Sequence, residues 1–180
     1  MRILIQRVKR ASVTIDGAVR SQIGPGLLVL LGVGHQDTDE AIEYLAGKLV
    51  RLRIFDDEQG VMNRDVVQAD GEVLVVSQFT LMASTRKGNR PSYIHAAPEA
   101  VSRPLYERFT ARVAELLGRP VGTGEFGADM QVELVNDGPV TIWIETPKRC
   151  SAARESTSER PVAPPPVPLA GSTQPIQPNE

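Results

Sequence analysis

The stretch Ser77-Gln78-Phe79-Thr80-Leu81 puts three hydrogen-bonding side chains, Ser77, Gln78 and Thr80, at the end of the apolar run EVLVV. A strand that ends in polar side chains and free backbone amides suits an oxyanion hole or a ligand clamp. The plainer alternative is that Phe79 and Leu81 pack while Ser77 and Thr80 cap the strand. The loop that follows, ASTRKGNRPSY (83–93), carries Arg86, Lys87 and Arg90 at a spacing that suits phosphate groups. Charge runs usually form a solvated face, but this one directly follows the candidate site. A third segment, NDGPVT (136–141), raises a different question. Its flanks alternate like strands, and Asn136-Asp137-Gly138 is ordinary turn chemistry, so a closing hairpin is expected. Pro139 has no amide donor and sits badly at the start of a ladder.

Other kinds of chemistry find little support. Gly32 and Gly34 end an apolar strand without the spacing of a dinucleotide loop. His35 and His95 belong to no metal-ligating pattern and read as loop or surface histidines. No GxSxG elbow is present, and the single cysteine, Cys150, lies beyond the last patterned segment. Asp56-Asp57-Glu58 before Gly60 reads as a solvated turn rather than a metal cluster. A net charge of −2 argues against non-specific coating of nucleic acid, though not against a local basic grip on one RNA end. No apolar run approaches the roughly 18 residues of a membrane span, and MRILIQRVKR lacks a signal-peptide cleavage site. With one cysteine, the expected compartment is a reducing cytoplasm.

The elements that must position these residues read as one mixed α/β unit over 1–147. Strands are expected at ILIQRV (3–8), SVTI (12–15) and AVRSQI (18–23), the last two joined by an Asp16-Gly17 turn, and at LLVLLGV (27–33) and EVLVVSQFTL (72–81). RIFDDEQGVMN (53–63) is expected to form a short strand and turn. Ile42, Leu45, Leu49 and Leu52 mark one helix, with Asp37 as its expected N-cap and Glu40 three residues on. Leu105, Phe109, Val113 and Leu116 mark a second over roughly 102–117, with Ser102 as cap and Gly118 as stop. GTGEFGADM (122–130) is a glycine-rich connection. Residues 148–180 have proline clusters and no periodicity, so a disordered tail is expected, and PVAPPPVP within it could meet a polyproline-binding partner of unknown identity.

SQFTL, a basic loop ending in NRPSY, GEFGADM and NDGPVT, in this order, resemble the D-aminoacyl-tRNA deacylases, as do MRILIQRVKRASVTIDG and LRIFDDEQGVMN. The resemblance spans residues 1 to about 146. Met82 and Ser84 depart from it, standing where the family more often has an aromatic and an acidic residue. It implies an α+β fold, with mostly antiparallel sheet in a barrel-like layer and two main helices packed on it. It also implies a homodimer with its active site at the subunit interface, where a cis Gly138-Pro139 peptide reaches into the partner's site. The two backbone carbonyls there would accept the substrate's ammonium and leave no room for an L side chain, while glycine would leak through. Backbone amides around Gln78, Phe79 and Thr80 would polarise the ester carbonyl. Thr80 as nucleophile and water aided by the ribose 2′-hydroxyl both remain open. Ser77 and Phe79 would seat the terminal ribose and adenine. Phe126 and Met130 would either neighbour that base or pack in the core. Arg86, Lys87 and Arg90 would meet acceptor-stem phosphates. This chemistry calls for no metal or organic cofactor. Three rivals stand beside it: a non-catalytic RNA-end binder, a hydrolase of D-amino acid esters or peptides independent of RNA, and a scaffold acting through its tail.

Overall fold

The structure, a computed structural model, describes residues 1–147. The expected disordered tail, its proline-rich stretch and Cys150 lie outside the described residues. Strand β1 (Arg2–Ile15) is one long element where two strands were expected. Its burial explains the break in the sequence pattern. Ile3, Ile5 and Arg7 are buried at alternate positions, Lys9 and Arg10 are both exposed, and burial then resumes at Ala11 and Val13. Ile3 and Ile5 face one apolar cluster, whereas Ala11 and Val13, at positions of the same parity, join Val8 in another. The strand thus changes face between Val8 and Ala11, where the pairing register with the C-terminal strand also shifts. A bulge turns the strand's second half over without ending it. Asp16 and Gly17, both at positive φ, turn the chain into β2 (Ala18–Ile23) as expected.

Strand β3 (Gly26–Gly32) pairs antiparallel with β1 and parallel with β6 (Glu72–Ser77). The parallel pairing needs a crossover, supplied by helix α1 (Asp39–Val50) and a small hairpin of β4 (Phe55–Asp56) and β5 (Met62–Arg64). Gly26 is required at the start of β3, because a Cβ there would lie 1.9 Å from the Glu72 carbonyl oxygen. The sequence EVLVVSQFTL does not continue as strand to Leu81. It stops at Ser77, and Phe79–Met82 form a single 3-10 turn. Helix α2 (Glu99–Leu117) starts earlier than expected, after Pro98, so Ser102 lies inside it with its hydroxyl donating to the Pro98 carbonyl at 3.0 Å. Gly118 ends it in the left-handed conformation, as expected. Thr38, not Asp37, precedes α1; the Asp37 carboxylate accepts from the Gly34 amide at 2.6 Å and from the Met1 amine. Strand β7 (Gly122–Thr123) adds to β6.

The closing hairpin does not form. Residues Gln131–Glu145 are one strand, β8, antiparallel to β1 from Thr14↔Gln131 to Arg2↔Glu145. Asn136 faces Val8 and Thr141 faces Gln6, so Asp137 to Val140 are four residues set against Arg7 alone. The ladder closes on both sides of this segment and extrudes it. That is how an edge strand tolerates Pro139 without an unpaired donor.

The sheet is mixed and curls towards a barrel: β3 and then β2 occupy successive stretches of one edge of β1, β6 and β7 follow beyond β3, and β8 lies on β1's other edge. Both of its faces are apolar. Leu27, Val29, Leu31, Val73 and Val75 face the helices and pack with Leu45, Leu49, Phe109 and Val113. Leu28, Leu74 and Val76 point the other way, into a second cluster with Val8, Val13 and Ile23, flanked by Met130, Val132 and Leu134. Two-faced burial is why β3 and β6 read as continuous apolar runs. Among the described residues no helix is long and apolar enough to cross a membrane. Phe109 is fully buried at the helix–sheet contact; Phe109→Ala is expected to lower stability by about 3–5 kcal/mol, read from thermal or denaturant unfolding.

Candidate active site

Strand β6 leaves the sheet at Ser77, and the Gln78 amide still donates to the Leu31 carbonyl at 2.7 Å. The chain then tightens into the 3-10 turn, whose Leu81 amide donates back to the Gln78 carbonyl at 3.2 Å. The first amides of such a turn, those of Phe79 and Thr80, have no acceptor within it. The turn sits close over β3, since a Cβ on Gly32 would lie 2.9 Å from the Leu81 Cβ. Arg2 holds its far end, donating to the Leu81 carbonyl at 3.0 Å while pairing with Glu145 at 2.9 Å.

A cleft of about 310 Å³ opens beside this turn. Ser77, Gln78 and Phe79 form one wall, and Phe126, Ala128 and Met130 of the glycine-rich connection form the other. Tyr106 and Ser102 of α2 line it as well. The Tyr106 hydroxyl donates to the Val75 carbonyl at 2.9 Å, and burial pushes its pKa up to about 12, so it stays a neutral donor at working pH. Its ring lies 5.8 Å from that of Phe126, and the Arg103 guanidinium covers the Phe126 face at 5.0 Å. Phe126 is therefore held between an aromatic and a cation, and the cleft offers a mainly apolar slot with amides at its mouth.

Thr80 has a definite partner, because the Gln78 side-chain amide donates to its hydroxyl. Among the described residues no histidine, lysine or carboxylate bonds that hydroxyl. Asp129, exposed on the rim, is the one carboxylate in the lining, and it too has no bond to Ser77, Gln78 or Thr80. No cluster of metal-ligating side chains exists among the described residues.

The structure thus brings together Ser77, Gln78, Phe79, Phe126 and Met130 from two segments far apart in sequence. It does not bring Gly138-Pro139 to them within one chain. The motif lies on β8 beside Arg7, while Ser77 is level with Leu31 and Ile3. Four residues of rise and three inter-strand spacings separate them, on the order of 20 Å. Gly138 and Pro139 are exposed and their peptide bond is cis. Arg86, Lys87 and Arg90 stand exposed on the loop between Ser84 and Ser92, whose backbones pair at 2.8 and 2.9 Å.

Arg7 was missed in the sequence. It is 7% exposed and runs beneath the extruded segment, donating to the Ile54 carbonyl at 2.7 Å and to the Asp137 carbonyl at 3.3 Å. It also pairs with the carboxylates of Asp56 and Asp137, both at 3.2 Å. The signal was present: Ile3, Ile5 and Arg7 alternate onto one face, and an arginine on a buried face calls for partners. Tyr106 gave no comparable signal, since an aromatic at helical spacing looks like any core residue.

The sequence model of the family described as D-Tyr-tRNA(Tyr) deacylase matches residues 4–145. The chain belongs to that family. It is 60% identical over 146 residues to the D-aminoacyl-tRNA deacylase of Parabacteroides distasonis, covering 81% of this chain and 97% of that protein. The D-aminoacyl-tRNA deacylase of Dechloromonas aromatica is 57% identical over the same shares. A solved structure of c-Myc DNA Unwinding Element Binding Protein superposes with a TM-score of 0.78 at 42% identity, over 82% of this chain and 99% of that one. A probable eukaryotic D-amino acid tRNA deacylase, at 19% identity and a TM-score of 0.69 over 79% and 97%, shares the fold. In this chain Arg7 supports a segment of the strand pair that forms the sheet's closing edge. Arg7→Ala is expected to cost about 1–3 kcal/mol, because the buried Ile54 carbonyl loses its donor. Chemical denaturation checks the loss.

Proposed function

We propose that this chain hydrolyses the ester between a D-amino acid and the terminal ribose of tRNA, releasing the free D-amino acid and tRNA. Family membership and relatives near 60% identity support a D-aminoacyl-tRNA deacylase, a hydrolase acting on ester bonds. The observation that carries the reading is the Phe79–Met82 turn at the mouth of the apolar cleft, its leading amides without acceptors in the turn and no base on Thr80. Such a site holds an ester and stabilises an oxyanion without a nucleophilic triad.

In this mechanism the terminal adenosine enters the cleft between Phe126 and Met130, with Ser77 near the ribose. The amides at Phe79 and Thr80 receive the carbonyl oxygen as it takes up negative charge. Water attacks the carbonyl carbon, the bond to the ribose oxygen breaks, and that oxygen leaves with a proton. The Thr80 hydroxyl, already accepting from Gln78, orders the turn or the water; the ribose 2′-hydroxyl beside the ester is the substrate's own proton carrier. Arg86, Lys87 and Arg90 meet phosphates of the acceptor stem, which positions the RNA without reading its sequence.

Chirality is read by a second copy of the chain. Because Gly138-Pro139 lies on the order of 20 Å from its own Ser77, it reaches a cleft only across a homodimer. There its carbonyls accept the substrate ammonium and bar an L side chain, while glycine, with none, passes. A cytoplasmic location fits an enzyme that meets charged tRNA. The catalytic unit is residues 1–147, and the tail plays no part in the chemistry.

Matched D- and L-tyrosyl-tRNA, with glycyl-tRNA as a third substrate, test the activity. Fast loss of the D ester, slow loss of the L ester and some loss of glycine are expected. Equal hydrolysis of both enantiomers would remove the chiral gate, and tRNA binding without turnover would make the protein an RNA-end binder. The cross-subunit site has its own test. Gly138 has φ +124, and a Cβ there would lie 2.7 Å from the Val140 side chain and 2.9 Å from its backbone nitrogen. Gly138→Ala is expected to fold, since the motif is exposed, but to lose the D ester activity. Mixing its subunits with Gln78→Ala subunits should restore about a quarter of wild-type activity, because heterodimers keep one site intact. No recovery on mixing would place both residues in one chain's site.

A further inference from the structure

Tyr93 and Ile94, at 40% and 73% exposure, form an apolar ledge that the reaction described above leaves unused. Phe79, 58% exposed, joins it, its ring 5.0 Å from that of Tyr93 at an angle of 65°. The ledge is held from beneath. The Ala96 amide donates to the Tyr93 carbonyl at 2.9 Å, Gly34 pairs with Ala96, and the His35 Nε2 lies 3.0 Å from the Ile94 carbonyl. On one side the ledge adjoins the cleft through Phe79. On the other it adjoins the Ser84–Ser92 loop, whose tip stands clear: nothing lies within 4 Å of a Cβ built on Gly88.

Charge decides what such a ledge would meet. Between Met82 and Pro98 there is no Asp or Glu, while Arg86, Lys87 and Arg90 are all present. Among the described residues none of these three has a hydrogen-bond or ion-pair partner, although arginines elsewhere, among them Arg2, Arg7, Arg64, Arg103, Arg112 and Arg119, are paired. Exposed rings beside unpaired cations match single-stranded nucleic acid, whose bases stack while its phosphates follow the positive charge.

We infer that Tyr93 and Ile94, continuing from Phe79, form a stacking ledge for the unpaired nucleotides that precede the terminal adenosine of the tRNA. This rests on the deacylase reading, which places that adenosine in the adjoining cleft. A strand leaving the cleft past Phe79 lays its next bases on Tyr93 and Ile94 and brings its phosphates to the Arg86, Lys87 and Arg90 loop. The enzyme then measures a short stretch of single strand beyond the nucleotide that carries the ester.

Two substrates separate the ledge from the cleft: the D-tyrosyl ester of adenosine alone, and D-tyrosyl-tRNA. Tyr93→Ala is expected to raise the ratio of KM for the tRNA ester to KM for the adenosine ester roughly tenfold, the worth of one stacked base. Tyr93→Phe should restore it, and Ile94→Ser should move it in the same direction by less. The Tyr93→Ala effect should persist at high salt, whereas that of Arg86→Gln with Lys87→Gln should fade. An unchanged ratio would overturn the ledge, as would a loss shared equally by both substrates, which would mark Tyr93 as a support of the turn. Sedimentation of Tyr93→Ala as a smaller species than wild type would overturn it too, making the surface a contact between copies. If wild type cleaves the adenosine ester but not the tRNA ester, the deacylase chemistry stands and the ledge falls. If it cleaves neither, the deacylase reading itself is lost.

Discussion

Backbone pairing on both edges of β1 is the constraint from which the rest of this structure follows. One edge is occupied by β3 and then β2, the other by β8 along nearly its whole length. Every residue of β8 must therefore fit a ladder whose partner is already fixed. Where β8 has more residues than β1 can match, the excess is pushed out, and that excess is Asp137 to Val140. The extruded segment is supported by Arg7, whose guanidinium binds the Ile54 and Asp137 carbonyls instead of packing as an apolar residue would. An ion buried on a core face needs such partners to be tolerable. The strand pairing and the buried arginine thus fix the same segment from two sides.

The cleft is built on the opposite principle. Its walls are mainly apolar, drawn from both sheet-face clusters, with Leu31, Val33 and Tyr106 from one and Val76 and Met130 from the other. The polar Ser77 and Gln78 lie where β6 gives way to a helical turn. The change from strand to 3-10 turn frees amides that a continuing strand would have committed to its neighbours. Chemistry that needs an oxyanion stabilised, with an already labile ester, can be served by backbone alone. The side chains nearest the turn then hold geometry: Gln78 binds Thr80, Arg2 binds Leu81, and Gly32 lets the turn approach β3.

Much of this was legible in the sequence. SQFTL stood out as polar residues ending an apolar run, and the two-faced burial of β3 and β6 confirms why those runs looked unbroken. The Asp16-Gly17 turn and the Gly118 stop were local signals, satisfied locally. Failures occurred where a local signal was overruled from a distance. Asn136-Asp137-Gly138 has the chemistry of a hairpin turn, yet the chain runs on because β1 offers both flanks a continuous partner. Ser102 has the chemistry of a cap, yet α2 begins at Glu99 after Pro98.

Residue order alone marks which residues carry chemistry and which short segments turn, because amide donors, positive φ and side-chain hydrogen bonds act over a few residues. It also determined the family, since four motifs in fixed order are jointly specific. Tertiary structure decided which of those residues meet. Phe126 and Met130 join Ser77 and Gln78 because β6 and the chain after β7 converge on one cleft. Gly138-Pro139 is kept away from that cleft because strand rise and sheet spacing set a separation that no side chain spans. Distance across a sheet is a property of register, and register is fixed by pairing between segments more than a hundred residues apart.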